Sequence, residues 1–296
     1  MKRIFFMLLC AASVMMVKAG DGPLPGKFSV APDHQVYFSQ GNLQYQANNS
    51  FWRFAEHQYD FVGNKESGNV NYAFDKCNNA YIDRYYDGWI DLFGWGTAND
   101  PWLNAEDSRE YGLFEEWGNN TILNGGMFNK WRTLTFEEWF YLFVSRPNAE
   151  NLRGHATVNK VHGYILLPDE WQLPKKLTFT PNANSWATNV YSAGDWKKME
   201  AAGAVFLPAG GFRSGSELSV VGMFGFYWSS TIFEGNTDDA RDIFFSEKRF
   251  GPKDHEKRFY GLSVRLVMDA SGPAPQSNAE QNSQSEYNLD EILKGL

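Results

Sequence analysis

The sequence predicts an α+β domain with two short helices, a small antiparallel sheet and long aromatic-rich loops. Three observations lead to this fold class. Segments with strand-like alternation occur near both ends of the chain, and two segments carry helix-start signals. A long region rich in Gly, Trp and Asp, residues 85–120, has no clear period. With 43% hydrophobic and 17% aromatic residues among 296, the chain is able to bury a sizeable core.

The predicted strands are short. Residues 27–30 and 35–38 alternate apolar and polar side chains, which is typical of a half-buried sheet. Residues 204–208 follow the second predicted helix as an apolar strand. Three further strands are predicted near the end of the chain, at residues 227–232, 242–246 and 262–267.

Two helices are predicted from their start signals. Thr135 and Glu138 form a capping-box pattern, which predicts a buried helix through the aromatic run 139–143. The second helix is predicted to have Asp195 as its N-cap and to stop at Gly203, because glycine is the usual residue just past a helix end.

The N-terminus has the pattern of a secretory signal peptide. Residues 1–3 are basic at two positions, residues 4–17 form an apolar run, and small residues follow. Cleavage is expected after Ala19, so residues 1–19 are left out of the fold. The sequence therefore predicts an extracytoplasmic protein, located in the periplasm, on the cell surface or secreted.

Two alternatives to a cleaved signal stay open. A membrane anchor is disfavoured because the apolar run is short for a bilayer span, and no later segment approaches the required length. A lipoprotein at Cys10 is disfavoured because Leu9 precedes it where a small residue is expected.

Residues 20–270 are predicted to form a single domain, because no Pro/Ser-rich linker interrupts them. Residues 271–296 are predicted to be a flexible polar tail, because they are too poor in apolar residues to order themselves. The last nine residues, 288–296, have leucine and isoleucine at helical spacing. They are a frayed end or, alternatively, a docking helix that would make the protein a structural subunit.

Charge and cysteine content restrict the function. The net charge is −8, and loss of residues 1–19, which contain three basic and no acidic side chains, makes it −11. A basic nucleic-acid-binding surface is therefore not expected. Cys77 is the one cysteine left after cleavage, so no intramolecular disulfide or cysteine metal cage is expected. In an oxidising compartment an exposed free thiol is a liability, and we expect Cys77 to be buried and inert.

The last third of the chain contains a specific succession of motifs. GAVFLPAGGFR, GFYWSST and GLSVRLV occur in this order, with the strand DIFF before the last of them. This succession resembles the Fibrobacter succinogenes major paralogous domain family of Bacteroidetes and relatives. Upstream segments resemble the same family, so the likeness covers about residues 27–268. The motif segments are 203–213, 225–231, 242–245 and 261–267, with 38–45, 92–97 and 131–135 upstream.

That family is similar in its core motifs to the formylglycine-generating-enzyme group, so the resemblance implies a C-type-lectin-like fold. Most family members are surface or secreted proteins without a known activity. Variable proteins diversified by retroelements share the fold and display a ligand-binding face near the C-terminal strands. Trp228 is expected to fill the core beside Ser229 and Ser230. The candidate exposed ligand-binding face consists of Arg213, Glu217, Phe226, Phe233, Asp242, Phe250 and Tyr260.

Several catalytic chemistries are not expected. The generating enzymes use two cysteines, whereas Cys77 stands alone here. The histidines lack HxxxE and HExxH spacing, and His155 and His162 are expected on opposite faces of one strand. GxSxG, P-loop and GxGxxG motifs are absent. The chain is therefore predicted not to be an enzyme, with a polysaccharide hydrolase using an unrecognised carboxylate pair as the alternative.

Binding is the predicted function, with a glycan or a protein surface as the ligand. The tryptophans of the long loop region either contact this ligand or pack under the loops, and packing is favoured for most of them. No cofactor is expected. Structural calcium at Asp238 and Asp239 is an alternative to a solvated acidic turn. The tryptophans in question are Trp89, Trp95, Trp102 and Trp117.

Overall fold

The computed structural model describes residues 22–62, 78–126 and 130–270. Small sheets dominate these residues, and the two α-helices among them are short, so the fold is mixed α+β as predicted. The predicted signal peptide, Cys77 and the predicted tail from residue 271 onward lie outside the described residues.

The first sheet joins the two ends of the domain. Strand β1 (Pro23–Ala31) pairs with β2 (His34–Ser39), which confirms the first two predicted strands. On its other side β2 pairs antiparallel with β14 (Val267–Asp269). A separate hairpin, β3 (Leu43–Gln46) and β4 (Phe51–Phe54), follows directly.

A four-stranded sheet forms the middle of the chain, in the order β7-β5-β6-β8. Its strands β5 and β6 make a hairpin in which His155 pairs with Tyr164 and His162 pairs with Thr157. The expectation that His155 and His162 share one unbroken strand is therefore wrong, because the chain reverses between them. The strands are β5 (Arg153–Val158), β6 (Val161–Leu166), β7 (Asn189–Tyr191) and β8 (Val205–Pro208).

The C-terminal strands form two further sheets. Strands β9 (Phe212–Ser214) and β10 (Glu217–Ser219) pair as a short hairpin. Strands β11 (Phe224–Ile232), β12 (Asp239–Ser246) and β13 (Arg249–Lys257) form a sheet in that order. Pro252 lies in β13 at the register shift between the pairs Asp242–Asp254 and Phe244–Gly251, and bulges and edge strands are the positions where sheets accommodate proline.

Both helices are capped at their N-termini. Helix α1 (Phe136–Phe140) has the predicted capping box, with both Thr135 and Glu138 bonds present, and it continues as a π-helical turn to Ser145. Helix α2 (Ala193–Ala201) begins earlier than predicted, because its N-cap is Ser192 and not Asp195. The Ser192 hydroxyl accepts the Asp195 N–H at 3.1 Å, so the more N-terminal of the two capping residues is used.

The predicted strand 262–267 is wrong for most of its length. Leu262 bridges to Phe93 of the long loop and Ser263 bridges to Tyr227, and regular pairing starts at Val267. The segment exchanges hydrogen bonds with several different partners in turn, so it follows no single neighbouring strand.

The long aromatic loops pack as the favoured interpretation predicts. Trp95 and Trp117 are buried, and the Trp95 Nε1 donates to the Ser229 carbonyl at 2.9 Å. Trp228 fills the core as expected, and its Nε1 donates to the Phe93 carbonyl at 2.7 Å. The loop region is therefore fixed against β11. Within the described residues, none of the helices has the length and apolar character that crossing a bilayer requires.

Candidate functional site

Three carboxyl groups share one face of the sheet β11-β12-β13. Asp242 of β12 pairs with Trp228 of β11 on one side and with Asp254 of β13 on the other. Glu256 pairs with Ala240, two residues before Asp242. Directly opposed residues of antiparallel strands point to the same side of a sheet, so these side chains lie together. We refer to Asp242, Asp254 and Glu256 as the acidic trio.

Asp242 is the innermost member of the acidic trio. Its side chain is fully buried, and apart from its own backbone amide neither carboxylate oxygen has a hydrogen-bond partner among the described residues. Burial, together with the charges of Asp254 and Glu256, raises the pKa of the Asp242 carboxyl well above its usual value. A buried carboxylate without partners costs the folded state free energy, so this position is unfavourable for stability.

The two outer members of the acidic trio are half-buried. Burial and the neighbouring charges of Asp254 and Asp239 raise the pKa of Glu256 to about 7, against a smaller opposing effect of Lys257. The Asp254 carboxylate accepts the backbone N–H of His255 at 3.0 Å. These two carboxyl groups therefore border solvent, whereas Asp242 lies beneath them.

Aromatic rings continue the same face. The Phe226 and Phe244 ring centroids are 5.2 Å apart, and Phe224 meets Phe244 edge-on at 5.4 Å. From β9, Phe212 contacts Phe226 at 5.7 Å and stacks on Tyr260 at 4.8 Å. Phe226 and Phe244 are buried, and the other three rings are half-buried. We refer to these five residues as the aromatic wall.

The aromatic wall and the acidic trio meet at Gly251. A Cβ at this glycine would lie 3.3 Å from Phe244 Cδ1 and 3.7 Å from Asp254 Oδ2. The Arg249 guanidinium also lies 5.4 Å from the Phe244 ring centroid, within the usual range of a cation–π contact. An aromatic ring, a carboxylate and a cationic group thus come together at this point.

The opposite face of the same strands has its charges paired. The Asp239 carboxylate accepts from Lys257 Nζ at 2.6 Å and lies 3.3 Å from His255 Nδ1. Phe233 stacks on the His255 ring at 3.8 Å and carries the Arg241 guanidinium at 4.5 Å. Phe233 therefore lies on the other side of the sheet from the acidic trio.

The expected exposed face is wrong for three of its residues, because Arg213, Phe226 and Asp242 are buried. Arg213 donates to the side chain of Asn104 and to the carbonyl of Leu92 at 3.3 Å, which anchors the long loop. Burial lowers the pKa of Arg213 to about 10. These bonds to the loop explain why its side chain points inward.

The structure brings together Phe226, Asp242 and Tyr260 from the predicted face and separates the other members. Glu217 is exposed on β10. Phe250 stacks on Tyr164 at 5.1 Å and contacts Phe143 at 4.7 Å, in the core on the other side of the sheet. The residues that sequence reasoning missed are Phe212, Phe224, Phe244, Asp254 and Glu256.

Asp238 and Asp239 are the two residues named for the alternative of structural calcium. Asp239 is engaged by Lys257, and Asp238 is exposed, with its backbone N–H donated to Asn236 Oδ1 at 3.1 Å. Among the residues that the structure describes, no three His, Cys, Asp or Glu side chains are arranged to hold a metal ion. Calcium at this loop stays a prediction.

The chain was compared with protein families, curated proteins and solved structures. No protein family, no curated protein and no solved structure matches the chain.

Proposed function

We propose that this chain is a non-catalytic secreted or cell-surface binding domain with a C-type-lectin-like fold, and that its ligand is a glycan or a protein surface. The resemblance of the C-terminal motifs and the sparse helices and small sheets support this fold. The binding site would be the aromatic wall with the acidic trio, since Phe226, Asp242 and Phe244 lie on the motif strands β11 and β12, and β13, with the other two carboxyl groups, pairs with β12.

One observation carries the proposal: the buried carboxyl of Asp242 has no side-chain partner among residues 22–62, 78–126 and 130–270, and two half-buried carboxyl groups lie beside it. A fold gains no stability from such a cluster, because burial penalises the charge and like charges repel. Arrangements that weaken the folded state are common at sites that serve function. A ligand that reaches Asp254 and Glu256 would compensate for their mutual repulsion.

The test is a binding screen of the mature protein, residues 20–296, on glycan arrays and by pull-down of extracellular proteins. We expect a ligand whose binding is lost in the double variant Asp254→Asn/Glu256→Gln. The matched control is Glu150→Gln/Glu247→Gln, which removes the same charge from two exposed positions. Equal binding by both double variants would place the site elsewhere, and the absence of any ligand would refute the binding function.

A hydrolase is the second candidate, favoured by Glu256. Its pKa of about 7 suits a general acid, and Asp254 next to it would be the base or nucleophile of a carboxylate pair. In that case a polysaccharide panel would reveal turnover by the wild-type protein. Glu256→Gln would lower the rate by about 100-fold or more, which is typical of a lost acid–base group. Binding without turnover would exclude this candidate.

A further inference from the structure

The polar groups next to the aromatic wall determine which ligand suits it. Ionised carboxylates accept hydrogen bonds and donate none. The two half-buried carboxyl groups of the trio, Asp254 and Glu256, therefore favour a ligand group that consists of donors once Glu256, whose pKa is about 7, has ionised. Ammonium and guanidinium groups are donors without acceptors, and both also bind to the faces of aromatic rings.

The basic side chains near the acidic trio do not neutralise it. Lys257 and His255 engage Asp239 on the opposite face of the sheet. Arg258 donates to the carbonyls of Tyr111 and Gly112, each at 2.8 Å, and Arg241 packs on the Phe233 ring. These cations are thus held by other groups.

Arg249 places its cation at the aromatic wall. Its exposed side chain places a guanidinium over Phe244, at the junction of the aromatic wall with Asp254. It does not supply Asp242 with a hydrogen bond, because neither Asp242 oxygen has a side-chain partner within the part of the chain that the structure describes. The aromatic wall therefore accommodates the guanidinium of Arg249 at Phe244, and this guanidinium forms no hydrogen bond with the buried Asp242 carboxyl.

We propose that the aromatic wall and the acidic trio bind a lysine or arginine side chain of a partner protein, with its cation between Phe244 and the carboxylates of Asp254 and Glu256. This inference rests on the proposed binding function and specifies its ligand. Asp242 lies beneath the cation, and a positive charge there would lower the pKa of its carboxyl from the raised value that burial imposes. Arg249 competes with the incoming side chain for the Phe244 ring.

A basic protein side chain fits better than a glycan. A sugar presents hydroxyls that both donate and accept, so its recognition requires donors as well as acceptors in the site. The long aliphatic stems of lysine and arginine also suit contact with aromatic rings. The net charge of −8 favours association with a basic partner.

The experiment titrates the mature protein, residues 20–296, with four short peptides of the form acetyl-Gly-X-Gly-amide and follows binding by NMR. X is arginine, lysine, citrulline or norleucine; citrulline keeps the shape of arginine and removes its charge. We expect the arginine or lysine peptide to bind about tenfold or more tightly than its neutral counterpart. Glucosamine, N-acetylglucosamine and calcium ions are titrated as the other probes.

Variants locate the effect on this face. Asp254→Asn/Glu256→Gln is expected to remove the preference for the charged peptide, whereas the control Glu150→Gln/Glu247→Gln retains it. Arg249→Ala is expected to tighten binding by about threefold, because it removes the internal competitor. A folded Asp254→Asn/Glu256→Gln protein that keeps the full preference would overturn the inference.

Two further outcomes separate this inference from the proposed function. If a neutral sugar or calcium binds at this face more tightly than the basic peptides, the cationic ligand is wrong and the binding function stands. If no peptide, sugar or protein binds and the broader screen is also empty, both are wrong.

Discussion

Asp242 lies directly opposite Asp254 in the pairing of β12 with β13, so two carboxyl groups face each other across neighbouring strands. Like charges at opposed positions destabilise a sheet. Asp242 is also fully buried, and its pKa is raised first by this burial and then by the charges of Asp254 and Glu256. The folded state therefore resists ionisation of a group that ionises readily in the unfolded chain.

The first prediction concerns stability. The pKa of Asp242 is higher in the folded than in the unfolded protein. Its contribution to the free energy of unfolding is therefore fully present below the unfolded-state pKa and is lost as pH rises through the folded-state pKa. Asp242→Asn cannot ionise, so it should raise the free energy of unfolding at neutral to alkaline pH by about 1 to 3 kcal/mol. Urea denaturation near neutral pH and again in mild acid, where the gain should shrink, measures this.

Asp239→Asn is the control for this prediction. Asp239 lies on the opposite face and accepts from Lys257 Nζ at 2.6 Å, so its removal should lower stability or leave it unchanged. A destabilised Asp242→Asn protein with no dependence on pH would contradict the account of Asp242 as an uncompensated charge.

The second prediction concerns the pH dependence of binding. Burial and the charges of Asp254 and Asp239 raise the pKa of Glu256 to about 7, and Asp242 is shifted in the same direction. An arginine peptide stays charged throughout, so its affinity should fall as pH decreases through 7 and Glu256 takes up a proton. Titrations on both sides of neutral pH test this, with Glu256→Gln expected to flatten the profile.

Charged and titratable groups near the acidic trio also influence how the affinity for the arginine peptide changes with pH. Asp254 and Asp242 lie on the paired strands, and Arg249 contributes a permanent positive charge near Phe244. Tyr260 is the titratable member of the aromatic wall. An affinity that rises on acidification would contradict the role assigned to the carboxylates.

Local signals in the sequence predicted the elements that depend on neighbouring residues. The capping box of Thr135 and Glu138 is such a signal, since both partners lie within one helical turn. The β5–β6 hairpin was missed because its turn, Asn159 and Lys160, lacks the glycine that usually marks a tight hairpin. The two histidines were consequently assigned to one strand.

The proposed binding face depends on pairing between distant segments, which single-sequence patterns do not specify. Asp254 and Glu256 share a face because they alternate along β13, a strand that the sequence analysis does not predict; Gly251 and Pro252 within it are residue types that usually mark turns. Phe226, Asp242 and Tyr260 were identified through motif resemblance. The burial of Phe226 and Asp242 could not be predicted, because it depends on the contact of Phe226 with Phe212 of β9 and on the pairing of Asp242 with β11 and β13.

The third prediction tests the aromatic wall. Tyr260 is half-buried and stacks on Phe212 at 4.8 Å at the edge of the core cluster that contains Phe226, so part of its ring is accessible to a ligand. Tyr260→Leu keeps an apolar side chain and removes the ring. It should weaken binding of the arginine peptide by about threefold to tenfold while the melting temperature changes little.

Tyr260→Phe is the matched control, since it retains the ring and should retain most of the affinity. Peptide titration and thermal melting of both variants provide the measurements. If Leu and Phe at this position bind the charged peptide equally well, the ring does not contribute to the site.

The fourth prediction concerns the missed hairpin turn. Asn159 and Lys160 have φ of 46° and 69°, a left-handed conformation that costs residues with a Cβ free energy and that glycine adopts readily. Lys160 is exposed, so its side chain contributes little packing. Lys160→Gly should raise the free energy of unfolding by about 0.5 kcal/mol, after allowance for the greater freedom of glycine in the unfolded chain. Lys160→Ala is the control, because it removes the same long side chain but keeps the Cβ. If Lys160→Ala raises the free energy of unfolding as much as Lys160→Gly does, the cause is the loss of the charged side chain and not the backbone conformation.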